Sequence, residues 1–259
     1  MKIIKRVLLV IVALVVLVVV VGFVGFMKLM NGPNKLPEHA DYEGGAFLVN
    51  DSGRVGVYVI PIGDGHAIQI DCGNDTDAKA QKAALAEHKL VLDGVFVTHG
   101  HIDHIGSCKA LGAPIYALEA ERELMKGDVA AKGKLPAMFG PSHLNVAIDH
   151  VLADDVVVNF GANGAVQVHV YALPGHTAGS AAYLVNGVLY FGDGANNDGD
   201  GVVGGPIGAF SDDAAQGKDS LRKLAARLQA QSAQAPVKTF AFGHTTSMPA
   251  DLAKLAAVQ

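Results

Sequence analysis

Two kinds of residue are scarce in this chain, and each scarcity removes a class of answer. Cysteine occurs only twice, at Cys72 and Cys108, too few for a disulfide framework or a cysteine-based zinc finger. An oxidising compartment permits one bridge between the two, although spacing alone does not say whether their Cα atoms come within range. Cys72 carries no ligand signature and reads as a buried structural thiol. Charged residues make up 17% of the chain, the formal net charge is −5, and no basic run follows residue 6. Nucleic acid is therefore not an expected partner, because nothing here provides a cationic footprint. Aromatic residues are few, at 6%, and no motif of ~20–50 residues recurs, which argues against a repeat array.

What the chain does have is apolar bulk and glycine. Half of its 259 residues are hydrophobic and 31 are glycine, a balance that fits one sizeable, loop-rich α/β domain. The first thirty residues stand apart. Lys2, Lys5 and Arg6 precede an uncharged run over 7–27, and a helix of that length reaches about 31 Å, close to the ~30 Å thickness of bilayer hydrocarbon. The expectation is an N-terminal membrane anchor over 1–30, with its basic end in the cytoplasm and the rest of the chain outside. A cleaved signal segment, which would leave the protein secreted, is the alternative. Residues 31–45, with Pro33, Pro37 and Gly44-Gly45, read as a linker into a domain over 46–259.

Short β-branched runs over 46–49, 55–62 and 67–70 predict an opening antiparallel sheet, with Gly63-Asp64-Gly65 as a hairpin turn. Helical spacing over 77–89 and a fully apolar strand over 95–97 follow. A helix is expected over 105–111, a strand over 114–117 and a helix over 118–126, then a loop over 127–150. Further strands are predicted at 156–159, 166–173, 181–185, 188–191 and 237–242. A glycine-rich stretch covers 192–208, an amphipathic helix 218–231, and a closing helix 249–257 with proline in its first turn. Two strand-rich halves flanked by helices predict an α/β protein of two sheets packed face to face.

The chemistry is concentrated in Thr98-His99-Gly100-His101-Ile102-Asp103-His104, three histidines and a carboxylate directly after an apolar strand. Imidazole and carboxylate are ligands that zinc takes at about 2.0–2.2 Å, and a strand-end loop can turn several inward. His176, Asp193 and His244 each follow a predicted strand and sit beside glycine, which allows a sharp turn and a close approach. Five histidines and two aspartates suffice for two cations with one bridging carboxylate. The set suits zinc, and iron or manganese accept the same ligands. Of the other histidines, His39, His66, His88, His150 and His169 read as structural or solvated, while His143 is a candidate substrate contact. Tyr183 reads as a core tyrosine, and Asp198, Asp200, Asp212 and Asp213 as solvated turn carboxylates.

The pattern His-x-His-x-Asp-His, then Gly-His-Thr-x-Gly-Ser, Gly-Asp and Gly-His resembles the metallo-β-lactamase superfamily across residues 45–245. That resemblance implies a four-layer αββα sandwich. It also implies one ion on His99, His101 and His176, a second on Asp103, His104 and His244, and Asp193 bridging them. Asp71, in Ile-Asp-Cys-Gly, becomes a supporting partner beside the site. The implied activity is hydrolysis of a carbonyl-type bond in a small molecule by a water activated between the two cations, with Asp103 orienting that water and passing its proton. A bridging aspartate is generally lacking in the antibiotic-hydrolysing branch, so an ester, thioester or lactone is expected ahead of a β-lactam. A helical extension binds the glutathione thioester in the glyoxalase II branch, and no such extension follows His244 here, so that substrate is not expected. A membrane-tethered protein that binds metal without turnover is the rival from another class.

Overall fold

The computed structural model describes residues 6, 11–14, 16–17, 20–21 and 35–259. The chain divides into two compact units, Met1–Lys35 and Leu36–Gln259. The described residues of the first unit that lie between 6 and 21 are helical and exposed. Among the described residues no helix is long and apolar enough to cross a membrane; the span expected over 7–27 falls largely outside them.

In the second unit, β1 (Phe47–Asp51), β2 (Val55–Gly63), β3 (His66–Ile70), β4 (Val91–Phe96), β5 (Ile115–Leu118) and β6 (His150–Leu152) form one sheet in that order. The first three strands run antiparallel, and β3 to β6 run parallel. The other sheet has the order β14-β13-β10-β9-β8-β7. Its strands are β7 (Val157–Phe160), β8 (Val166–Ala172), β9 (Ala181–Val185), β10 (Val188–Tyr190), β13 (Thr239–Ala241) and β14 (Met248–Pro249). A separate hairpin, β11 (Asn196–Gly199) and β12 (Val202–Gly204), lies in the glycine-rich stretch read as loop. The helices are α1 (Lys79–His88), α2 (Ile102–Ile105), α3 (Cys108–Leu111), α4 (Arg122–Lys126), α5 (Ala214–Ala230) and α6 (Leu252–Ala256).

Successive strand residues face opposite sides, and here both sides are buried. Tyr58, Ile60, Ile68, Ile70 and Phe96 of the first sheet pack with Val168, Val170, Tyr183, Val185 and Tyr190 of the second in one core. Val57 and Val59, the alternate residues of β2, pack instead with Ala80, Ala84 and Leu85 of α1. Leu184, Leu189 and Phe240 pack with Leu221, Leu224 and Leu228 of α5 and Leu255 of α6. The result is the expected αββα sandwich.

Four details depart from expectation. The helix expected over 105–111 is two short turns, because the Ser107 amide donates to the Gly73 carbonyl at 3.4 Å rather than continuing α2. Helix α5 starts at Ala214, four residues early, since Asp213 is its N-cap and accepts from the Gln216 amide at 2.9 Å. Such a cap satisfies an otherwise orphaned amide. Pro249 lies in the edge strand β14, where its missing N–H costs no ladder bond, and Asp251 caps α6 through the Ala253 and Lys254 amides. Finally, Cys72 is not a thiol. It is bridged to Cys108 with the Cα atoms 5.1 Å apart, within disulfide range.

Candidate metal centre

Parallel pairing brings the site together. Strands β3 and β4 run in one direction in the first sheet. In the second, β10 and β13 are parallel and β9 is antiparallel to both β8 and β10, so β8, β10 and β13 share a direction. Asp71 follows β3, His99 follows β4, His176 follows β8, Asp193 follows β10 and His244 follows β13. All are loop residues at strand C-terminal ends, where α/β folds present reactive groups. The loops are stitched together by the Ala181 amide on the Thr98 carbonyl at 2.8 Å, the Gly243 amide on Gly192 at 2.8 Å, and the Gly56 amide on Gly243 at 2.8 Å. Tyr183 is the core tyrosine expected, its hydroxyl donating to the Val97 carbonyl at 2.7 Å.

All seven sequence-selected residues converge. His99, His101 and His176 form one group, Asp103, His104 and His244 a second, and His99, His104 and Asp193 a third, each with ligand atoms within 4.8 Å of one another. His176 Nε2 lies 3.1 Å from His99 Nε2 and 3.0 Å from His101 Nδ1. Asp193 sits between the groups, Oδ1 3.3 Å from His104 Nε2 and Oδ2 3.1 Å from His244 Nε2 and 3.7 Å from His176 Nε2. Asp103 Oδ2 is 3.3 Å from His244 Nε2. His99, His104 and His176 are buried and form the floor, whereas His101, Asp103, Asp193 and His244 form a half-buried rim.

The hydrogen bonds behind the rings fix which nitrogen faces inward. Ser211 Oγ donates to the Ile207 carbonyl at 2.8 Å, so its oxygen accepts from His176 Nδ1 at 3.1 Å. Thr98 Oγ1 donates to Asp71 Oδ2 at 2.8 Å and accepts from His99 Nδ1 at 3.1 Å. His104 Nδ1 donates to Asp71 Oδ2 at 2.7 Å, and His244 Nδ1 to the Arg54 carbonyl at 2.6 Å. Each of these four rings therefore turns Nε2 toward the centre, which is how outer partners set metal-ligating histidines. Asp71 also accepts from the Thr98 amide at 2.7 Å, so one carboxylate orients His104 directly and His99 through Thr98.

Electrostatics divide the centre in two. Burial lowers the pKa of His99 well below the ordinary histidine value, lowers that of His101, and takes that of His176 down to about 3. Burial also acts to lower His104 and His244, but Asp193, Asp71 and Asp103 reverse this at His104, raising it to about 10, and Asp193 and Asp103 raise His244 well above its ordinary value. Burial acts to raise Asp103 and Asp193, yet His104 and His244 hold both below the usual carboxylate range.

These residues fit divalent cations. His176 Nε2 lies 3.1 Å from the inward nitrogen of His99 and 3.0 Å from that of His101, and ligands at about 2.0–2.1 Å from a tetrahedral ion stand about 3.4 Å apart. His104 Nε2 and Asp193 Oδ1 are buried without a hydrogen-bond partner among the described residues. A cation shared by these atoms satisfies them together.

Sequence reasoning missed Glu121. It is 1% exposed, and its carboxylate accepts from the Gly100 and Gly179 amides, both at 2.7 Å, and from Thr177 Oγ1 at 2.5 Å. A glutamate in a charged helical stretch gives no sequence signal of this. Ser211 and the Arg54 carbonyl were also illegible. His143 is exposed, with its backbone against Gly127, and His66 pairs with Asp93 at 2.6 Å.

The chain belongs to the metallo-beta-lactamase superfamily, whose family model matches residues 51–244. Within that class, the sequence is 35% identical over 147 residues to the hydroxyacylglutathione hydrolase of Shewanella oneidensis, covering 55% of this chain and 47% of that protein. It is 32% identical over 161 residues to the enzyme of the same name from Halorhodospira halophila, covering 62% and 51%. The chain thus spans about half the length of these relatives. Among solved structures, the BLEG-1 B3 metallo-beta-lactamase superposes with a TM-score of 0.59 at 19% identity, over 81% of this chain and 95% of that one. ETHE1 from Myxococcus xanthus gives 0.56 at 22% identity, over 80% and 79%. These likenesses concern the fold.

Proposed function

We propose that this protein is a metal-dependent hydrolase of a small-molecule ester, thioester or lactone, with two divalent cations, zinc by its ligand set, held by the seven residues. The convergence of three imidazole nitrogens on one point, with a second His/Asp group beside it, carries this reading. His99, His101 and His176 would hold one ion, Asp103, His104 and His244 the other, and Asp193 both. When bound, such ions polarise a carbonyl and make a water acidic near pH 7.

The chain's own residues supply orientation and proton transfer. Asp103 is half-buried at the rim, with its carboxylate form secured by His104 and His244. It accepts the proton of the attacking water as the water oxygen bonds to the carbonyl carbon, then returns it to the oxygen or sulfur that leaves. The relatives' name, hydroxyacylglutathione hydrolase, supports including thioesters. Assaying the full chain on an ester, a thioester, a lactone and a cephalosporin tests the proposal. Chelator-sensitive turnover of one of the first three supports it. Turnover of the cephalosporin alone replaces it with the β-lactam reading, and zinc uptake without turnover of any leaves a metal-binding protein.

We also propose that the domain works outside the cytoplasm, tethered through residues 7–27 or released by cleavage there. The apolar run and the Cys72–Cys108 bridge support this, since such bridges persist in oxidising compartments. Protease added to intact cells should degrade a tethered domain, and protection would count against it.

A further inference from the structure

We infer that Glu121 is a positioning residue for the cation site formed by His99, His101 and His176, holding its two loops in register. This rests on the metal-dependent reading above. The carboxylate lies in the turn Glu119–Glu121 that directly follows β5, on neither of the loops it binds. Its Oε2 accepts from the Gly100 amide at 2.7 Å, and Gly100 is the residue between His99 and His101. Its Oε1 accepts from the Gly179 amide at 2.7 Å and from Thr177 Oγ1 at 2.5 Å, and Thr177 directly follows His176. One side chain thus joins the loop from the first sheet to the loop from the second, within one residue of all three histidines.

The packing around it is specific. A Cβ on Gly100 would meet Glu121 Oε2 at 2.9 Å, and one on Gly179 would meet Oε1 at 2.8 Å. Neither glycine has a positive φ, so both are explained by close approach to the segment that carries Glu121, its carboxylate and the Ala120–Glu121 backbone at Gly179 and its carboxylate with Leu124 and Met125 at Gly100, rather than by backbone conformation. All three donors are neutral, and burying a carboxylate on neutral donors alone is costly. Salt-bridging stability is therefore a poor account of it. What the arrangement secures is the placing of His176 Nε2, from the second sheet, 3.1 Å from His99 Nε2 and 3.0 Å from His101 Nδ1 on the loop of the first. The second group is held differently, by Asp71 behind His104 and the Arg54 carbonyl behind His244, so Glu121 bears on one half only.

The test is Glu121→Gln, which keeps shape but replaces one acceptor oxygen with an NH2 group. Whichever way that amide turns, a glycine N–H loses its acceptor. Zinc affinity is measured by calorimetry on the metal-free full chain in two backgrounds, His244→Ala, which keeps the first group intact, and His101→Ala, which keeps the second. The expected result is a loss of about 10- to 100-fold in the first background and less than about twofold in the second. If His244→Ala alone takes up no zinc, the same comparison is read from the two-step titration of Glu121→Gln against the unmodified chain, where one step weakens and the other holds. Equal weakening of both steps, with a lowered melting temperature of the metal-free protein, would make Glu121 a general structural residue and overturn the inference. So would unchanged binding. An unmodified chain that takes up no zinc would sink the metal reading itself, which separates the two failures.

Discussion

The two halves of the centre lie side by side yet solve opposite problems. His99, His101 and His176 sit where burial keeps imidazole uncharged, a ligand set ready for a cation without displacing a proton. His104 and His244 face Asp103 and Asp193 and retain protons in the metal-free protein. There the positive charge of a cation is anticipated by protons that must leave when the ion arrives. The contrast teaches that one fold can build a neutral and an anionic site within a few ångströms by changing only what stands behind and between the rings.

Stripping the metal removes both halves at once and has the largest expected effect, a fall in hydrolysis of roughly a thousandfold or more that zinc restores; a chelated enzyme with full turnover would dissolve the comparison. Asp103→Asn touches only the anionic half and should reduce kcat by about 10²- to 10⁴-fold, measured with two zinc ions still bound. Replacing Cys72 and Cys108 by serine should cost about 3–4 kcal/mol in denaturant unfolding, because the bridge closes a loop with a sequence separation of 36. Ser211→Ala, behind His176, should weaken zinc binding by about tenfold in a competition titration, without altering release from the anionic half.

The pH response of the metal-free protein sharpens the contrast most directly. His176 is lowered to about 3, so from about pH 6.5 down to that value the unfolded chain binds the extra proton and acidification destabilises the fold. His104 is raised to about 10, so its contribution is complete below about pH 6.5 and is lost as pH climbs through about 10. Melting temperatures should therefore fall on both sides of neutrality, and saturating zinc should remove the alkaline decline. A flat profile without metal would contradict the assignment.

The sequence exposed the seven clustered residues because His99, His101, His176, Asp193 and His244 lie beside glycine just after a strand, with Asp103 and His104 close behind in the same His-rich run, and strand ends are readable from apolar runs such as Val95-Phe96-Val97. It also exposed the layered architecture, since the apolar runs of β2 and β9 bury both faces. Glu121, Ser211 and the Arg54 carbonyl were invisible for a common reason: their roles depend on what the tertiary fold sets opposite them. The hairpin of β11 and β12 was hidden by glycine, which weakens the strand signal. Cys72 was misread because bridging depends on a spatial separation that spacing along the chain does not encode.

The bridge between Cys72 and Cys108 also ties the site to the outer layer of the fold. Cys72 adjoins Asp71, the carboxylate behind His104, and Cys108 opens α3. Reducing the bridge frees the backbone next to Asp71 from that helix, so the fastening of the core and the alignment of the His104 ring share one covalent link.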